Sequence, residues 1–316
     1  MRITVLAGGI GAARFLRGLK AVAPEADIIV VGNTGDDISL FGLHVSPDLD
    51  TVMYTLGGGI SEEQGWGRAQ ETFTVLAELG AYDAGPRWFS LGDRDIATHI
   101  ARTKMLNEGQ PLTAVTRRLC QRWQPGVTLL PMSDDRVETH VVLDEAGRRT
   151  VHFQEWWVRL HAAVPAAEIV AVGAAAATPA PGVLAAIEAA DFVLLPPSNP
   201  VVSIGIILAV PGIAEAVSAK TVVGVSPIIG GAPVRGMADA CLAAIGVPTS
   251  AAGVAAHYGA GLLDGWLVDE QDKAAADAPE LAGIAVRALP LYMTDLAAAA
   301  EIARAAVTMA EELGRP

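Results

Sequence analysis

The sequence predicts an α/β fold: three-layer, Rossmann-like, with a mostly parallel sheet and a helical insertion. Three observations carry this. Short apolar runs ending at glycine or proline, such as residues 2–7 (RITVLA) and 221–225 (TVVGV), read as strands buried on both faces. Segments with helical spacing separate such runs, most regularly in the second half of the chain. Residues 60–125 carry helical patterns and no strand pattern, so they read as an insertion in one 1–316 unit.

The first strand, 2–7, runs into Gly8-Gly9-Ile10-Gly11 and then a helix over 12–21. Such a turn is an anion cradle, because free N–H groups and the helix dipole point into it. In the dinucleotide-binding register G-x-G-x-x-G, Gly9 and Gly11 fit, but Arg14 takes the third place. After the second strand, 27–31, Gly32-Asn33 stands where a ribose-binding acid is expected. No GKS or GKT follows the glycines, which excludes a Walker loop.

Residues 33–51, NTGDDISLFGLHVSPDLDT, hold Asp36, Asp37, Asp48 and Asp50 with no Lys or Arg among them. Like charges this close repel unless water or a cation separates them. A hard divalent ion such as Mg2+ prefers oxygen ligands and takes one or two carboxylates plus substrate phosphates. Ser46-Pro47-Asp48 also has the form of a helix start, with Ser46 as N-cap. Capping accounts for Asp48 and for Asp50, but not for Asp36 and Asp37.

Beyond it, 51–56 continues a helix that Gly57-Gly58-Gly59 ends, and Trp66-Gly67-Arg68 leads into a helix through about 79. Leu91-Gly92-Asp93-Arg94-Asp95 opens a helix through 105, with Asp93 as its cap. Arg94 in a first helical turn opposes the dipole, so it points to a specific anion partner. His99 on the same helix reads more readily as structural than catalytic. A helix over 111–123 places Arg117, Arg118 and Arg122 on a solvated face.

Residues 127–131 read as a strand, followed by a hairpin of 137–143 and 148–153 around DEAG. In 152–157, HFQEWW, the paired tryptophans suit either stacking on a planar ligand or packing in a half-buried core. The alternation then becomes regular: strand 169–172, helix 181–190, strand 191–195, strand 221–225, strands 264–269 and 284–287, and a closing helix 296–313. Two of these strands end in small, proline-fixed loops, PPSNP (with Ser203 beyond) and SPIIGGAP. Ligands of open α/β sheets bind beyond the carboxyl ends of strands. Ser198, Asn199 and Gly230 in these loops suit a base edge and a ribose, with turn chemistry alone as the alternative.

Hydrophobic residues make up 52% of the 316 and charged residues 18%, enough for a large core. The net charge of −13 disfavours nucleic acid or an anionic membrane as the main partner. An anionic substrate would then need locally focused positive charge or a metal. Cys120 and Cys241, far apart in sequence, imply neither a disulfide framework nor a zinc site and suit a reducing cytoplasm. The most apolar region, 201–217, is broken by Ser203, Gly205, Pro211, Gly212 and Glu215, so a soluble, cytoplasmic protein is expected.

GGIGAARF, NTGDD, SPDLDT, LGDRDIATH, PMSDD, HFQEWW, PPSNPVVSIG and VSPIIGGAPV, in this order, resemble the 2-phospho-L-lactate transferase family, over residues 3 to about 260. The Trp-Gly-Arg and Gln-Arg-Trp-Gln-Pro-Gly segments look closer to its actinobacterial branch, called phosphoenolpyruvate transferase. The resemblance implies a late step of deazaflavin coenzyme F(420) biosynthesis. The ribityl hydroxyl of the deazaflavin Fo attacks a guanosine diphosphate ester of enolpyruvate, lactate or glycerate, and GMP leaves. It also implies Mg2+ and a homodimer. On this reading Asp37 and Asp50 are expected as metal ligands, with Asp48 assisting or acting as base. Asp50 and Arg94 fall on the Fo side; Gly9, Gly11, Asn33, Ser198, Asn199 and Gly230 fall on the donor side. A related family of the same fold, the gluconeogenesis factors, binds nucleotide sugars as regulators. SPDLDT and LGDRD favour the transferase over it, and Arg14 counts against a nicotinamide-dependent oxidoreductase.

Overall fold

The computed structural model describes residues 1–314; the last two residues of the 1–316 unit lie outside the described residues. Its strands in chain order are β1 (Arg2–Ala7), β2 (Asp27–Gly32), β3 (Ile38–Leu40), β4 (Leu43–Val45), β5 (Thr128–Pro131), β6 (Glu138–Leu143) and β7 (Thr150–His152). They continue as β8 (Ala166–Val172), β9 (Phe192–Leu195), β10 (Val222–Val225), β11 (Ile228–Ile229), β12 (Ala232–Pro233), β13 (Gly265–Val268) and β14 (Ala285–Ala288). Seven form one sheet in the order β14-β13-β10-β9-β1-β2-β5, with every neighbouring pair parallel. Its strand order reverses between β1 and β9.

Alternation along the central strands splits the core into two layers. Ile3, Val5 and Ala7 of β1 enter one apolar cluster and Leu6 the other; Ile28 and Val30 of β2 are separated from Val31 in the same way. Helix α1 (Gly9–Val22) and the closing helix Leu296–Leu313 cover the first face. They cross at Gly18, where a Cβ would stand 2.3 Å from the Ala299 carbonyl oxygen, so only glycine admits the approach.

Four further helices lie before β5: α2 (Pro47–Leu56), α3 (Thr74–Ala81), α4 (Asp93–Asn107) and α5 (Leu112–Trp123). The insertion over 60–125 is therefore helical in its second half, while much of 60–92 is irregular. The helix expected from Trp66 forms only over Thr74–Ala81, and none of its residues is buried. Gly92 holds the N-cap position of α4, and the Asp93 carboxylate instead accepts from Thr74 N and Val75 N at the start of α3. The cap expected within α4 thus serves its neighbour.

Two short elements depart from the expected alternation. Residues 38–45 fold as the β3–β4 hairpin, turning through Phe41 (φ 53°) and Gly42 (φ 73°). The strand around 169–172 is β8, and it pairs antiparallel with β6 in a separate sheet of order β7-β6-β8. Among the described residues no helix is long and apolar enough to cross a membrane.

Candidate functional site

The loops after β1 and β9 meet where the strand order reverses, the crevice in which open α/β sheets bind ligands. Ser198 Oγ donates to the Gly8 carbonyl oxygen at 2.9 Å and accepts from Gly8 N at 3.4 Å, tying the two loops together. A Cβ on Gly11 would lie 2.0 Å from the Pro197 carbonyl oxygen. Gly11 is thus glycine because two protein loops touch there. Asn199 Oδ1 accepts from Val201 N and Val202 N at 3.0 and 3.2 Å, capping the short helical turn Pro200–Ile204. Gly9 has φ +73°, and its N–H donates to the Asp48 carboxylate. The amide that would cradle an anion already has one.

The four aspartates are all buried, and they divide into two groups. Asn33, directly after β2, holds the first. Its Nδ2 donates to Asp48 Oδ2 at 2.9 Å, to Asp36 Oδ1 at 3.4 Å and to the Val202 carbonyl at 3.2 Å. Gln154 Nε2 reaches Asp36 Oδ2 at 3.3 Å. Burial raises the Asp36 carboxyl well above its ordinary range, and the Asp48 and Asp37 charges push it further against the Asn33 and Gln154 hydrogen bonds. Burial likewise brings Asp48 to about 6, opposed by Asn33 and the Gly9 N–H and helped by the Asp37 charge. Asp37 Oδ2 takes 2.8 Å hydrogen bonds from Ser46 Oγ and His44 Nε2, while Asp37 Oδ1 is buried with no partner. Ser46 occupies the N-cap position of α2, with Pro47 at the first helical place, but its hydroxyl faces Asp37 and makes no cap bond. Site geometry displaces the expected cap.

Asp50 stands two residues after Asp48, roughly 200° around the helix, so the two carboxylates leave α2 on opposite sides. The guanidinium of Arg102, from α4, donates to Asp50 Oδ1 through Nη2 and to His99 Nδ1 through Nη1 at 3.1 Å. Arginine can only donate, so His99 Nδ1 accepts and any single ring proton sits on Nε2. That nitrogen makes no hydrogen bond but lies 3.4 Å from Asp95 Oδ1, which accepts from Tyr54 OH at 2.7 Å. Asp50 Oδ2 is buried without a hydrogen bond, 3.7 Å from His99 Nδ1. Burial raises the Asp50 carboxyl, and the Arg102 and His99 charges restrain the rise. Asp95 goes the other way: burial alone would raise it, but the His99 imidazole beside it, the Tyr54 hydrogen bond and the Arg102 charge leave it lowered. Sequence reasoning missed Arg102, Asp95, His44 and Gln154 altogether and read His99 as structural. The available signal was Asp95, His99 and Arg102 at i, i+4 and i+7 on one helix face.

Of the four acids, the two expected as metal ligands are the two with an orphaned buried oxygen, Asp37 Oδ1 and Asp50 Oδ2. Hard, anionic and otherwise unsatisfied, these atoms fit a divalent cation. Among the described residues, the one set of three acidic or imidazole groups with ligand atoms all within 4.8 Å is Asp50, Asp95 and His99; Asp37 is outside it.

The remaining expected residues make no hydrogen bond or ion pair with the four aspartates. Arg94 is exposed in the first turn of α4, with Nη1 3.3 Å from the Ala69 carbonyl and 3.4 Å from Gln70 Oε1. Gly230 is exposed in the β11–β12 turn at φ +58°, its N–H donating to Asp272 Oδ2 at 2.9 Å. Trp156 is fully buried, with Nε1 donating to Val164 O at 2.8 Å, so it packs in the core.

The model of the family described as 2-phospho-L-lactate transferase CofD matches residues 3–292. The phosphoenolpyruvate transferase of Thermobifida fusca is 69% identical, and the alignment covers 99% of each chain. That of Streptomyces coelicolor is 67% identical over 99% of each. That of Nocardia farcinica is 54% identical over 98% of this chain and 95% of its own. A solved structure of a UPF0052 family member from Bacillus halodurans superposes with a TM-score of 0.64 at 17% identity, covering 97% of this chain and 99% of that one, a likeness of fold.

Proposed function

The chain belongs to the 2-phospho-L-lactate transferase family, CofD, and on that premise we propose that it builds the phosphodiester of a deazaflavin coenzyme. The donor is a guanosine diphosphate ester of enolpyruvate or 2-phospholactate type, the acceptor is the ribityl hydroxyl of Fo, and GMP leaves. The product is (dehydro) coenzyme F(420)-0. The enolpyruvyl donor is preferred because the relatives at 54–69% identity bear the name phosphoenolpyruvate transferase.

The observation that carries the reading is the pair of orphaned carboxylate oxygens, Asp37 Oδ1 in the loop after β2 and Asp50 Oδ2 on α2. Phosphoryl transfer asks mainly for positioning and charge neutralisation. Mg2+ held by Asp37 and Asp50 would supply the neutralisation. The acceptor oxygen bonds to the phosphorus distal to guanosine as the bond from that phosphorus to the GMP oxygen breaks. Asp48, whose pKa of about 6 suits proton exchange near neutrality, takes the hydroxyl proton. Asn33 keeps Asp48 and Asp36 apart and oriented. Arg94 meets the acceptor at the rim, and the Ser198, Asn199 and Gly230 loops line the guanosine side. The free thiols of Cys120 and Cys241 are consistent with a cytoplasmic setting.

The test is to mix the protein with Mg2+, Fo and each candidate ester and to follow the products by mass spectrometry. A phosphodiester of Fo appearing with GMP identifies both reaction and donor. No adduct with any ester would overturn the reading.

A further inference from the structure

Arg14 on α1 and Arg235 after β12 feel each other's charge, and among the described residues neither pairs with an acid. Burial first, and then the Arg14 charge, pull the Arg235 guanidinium below its usual range. The placement rests on geometry as well. A Cβ on Gly65 would lie 2.9 Å from Arg235 Nη1 and 3.3 Å from Ile10 Cγ2, so Arg235 stands across Gly65 from the Ile10 side chain in the first turn of α1. Arg235 Nη2 donates to the Gln64 carbonyl, which fixes the guanidinium there. Arg14 lies one turn beyond Ile10 on α1 and, among the described residues, makes no hydrogen bond or ion pair. Arg17, on the next turn, pairs with Glu62 at 2.7 Å.

This chain has 35 acids against 22 lysines and arginines, so partners for a surface arginine are abundant. Two guanidiniums on facing segments, with no acid paired to either among the described residues, are available to an anion. The amide of Gly9 is spent on Asp48. The loop's remaining amides carry only partial charge, and guanidinium forks, which carry a full one, match phosphate oxygens two at a time.

We infer that Arg14 and Arg235 together bind a phosphate group of a diphosphate ligand at the outer side of the glycine loop. The identity of that ligand as the guanosine ester rests on the function proposed above; the cation pair does not. The pair reaches the loop from two directions, α1 and the segment after β12, so both halves of the sheet contribute to one phosphate.

Calorimetric titration of the full chain, with Mg2+ present, tests it with three probes: GDP, guanosine and inorganic pyrophosphate. Arg14→Met and Arg235→Met should each weaken GDP and pyrophosphate about 10- to 100-fold, the loss of a charge-assisted hydrogen bond, and leave guanosine unchanged. Arg17→Met should alter none of them. Should Arg235→Met fail to fold, Arg14→Met and Arg235→Lys carry the test, the lysine keeping charge but losing the fork. GDP bound equally well by wild type and both Met variants overturns the inference and leaves the transferase reading standing. Pyrophosphate bound by wild type and lost in the variants, with no GDP binding, keeps the arginine pair and removes guanosine. Wild type binding neither pyrophosphate nor GDP overturns the pair.

Discussion

Arg102 donates to one carboxylate oxygen of Asp50 and leaves the other, equally buried, with nothing to bind. The partner thus keeps an anion in the interior and fixes which of its lone pairs stay available. Removing one member of a buried pair strands the other charge and costs about 3–5 kcal/mol. Arg102→Met should therefore lower stability by that order in urea unfolding and abolish transfer. Arg102→Met combined with Asp50→Asn should recover most of the stability and none of the activity. Recovery of activity in the double variant would exclude Asp50 from the chemistry.

Asp50→Ala should abolish turnover, and EDTA should stop the wild-type reaction until Mg2+ is restored. Full activity of Asp50→Ala removes the acidic block from the mechanism, and indifference to EDTA and Mg2+ removes the metal.

Asp48 gives stability a defined dependence on pH. Its folded pKa of about 6 lies above the ordinary carboxylate value, so between roughly pH 4 and 6 the folded state binds more protons than the unfolded one. Stability contributed by this group is full at low pH and is lost as pH rises through that window, by about 3 kcal/mol for a two-unit shift. Asp48→Asn should match wild type near pH 4 and exceed it increasingly up to pH 6, without metal, in urea unfolding. A constant gap would show that Asp48 titrates normally.

Arg94→Ala should weaken binding of Fo more than binding of GDP, measured by fluorescence and calorimetric titration. The reverse order would move Arg94 to the donor side.

Gly11→Ala should be destabilising by about 1–3 kcal/mol, because its Cβ has no room against the Pro197 carbonyl. The expected readout is a lowered urea midpoint together with reduced transfer, since the two loops would have to part. An unchanged midpoint would mean that the loops yield freely.

The parallel sheet was legible because each of its strands is a short apolar run closed by glycine, proline or a polar loop. Leu296–Leu313 was legible in full, its apolar period unbroken from an Asp295 cap that accepts from Ala298 N. The β3–β4 hairpin escaped because its alternation, Ile38 to Val45, is short and embedded among aspartates; Phe41-Gly42 was the available turn signal. The strand around 169–172 was recognised, but periodicity says that a strand forms and not which sheet receives it. At the site, local chemistry exposed the aspartates, the glycines and Asn33. It did not expose Arg102 or His99, whose role comes from a contact between α4 and α2 some fifty residues apart. Nor did it expose Arg235, which meets Arg14 only through the folding of the whole chain.

Helix α3 follows a different rule from the rest of the molecule. With none of its side chains buried, it is held at its start by the Asp93 carboxylate and elsewhere by little besides its own ladder. Opening such a segment costs a small part of the global unfolding free energy. Its amide hydrogens should exchange with deuterated solvent long before those of β1 or β9. Arg94 leans on Ala69 and Gln70 at the edge of this region, so the acceptor contact proposed for it would rest on a lightly anchored stretch. Part of the affinity for an acceptor must then go into quieting that stretch, and a ligand that binds there should slow its exchange.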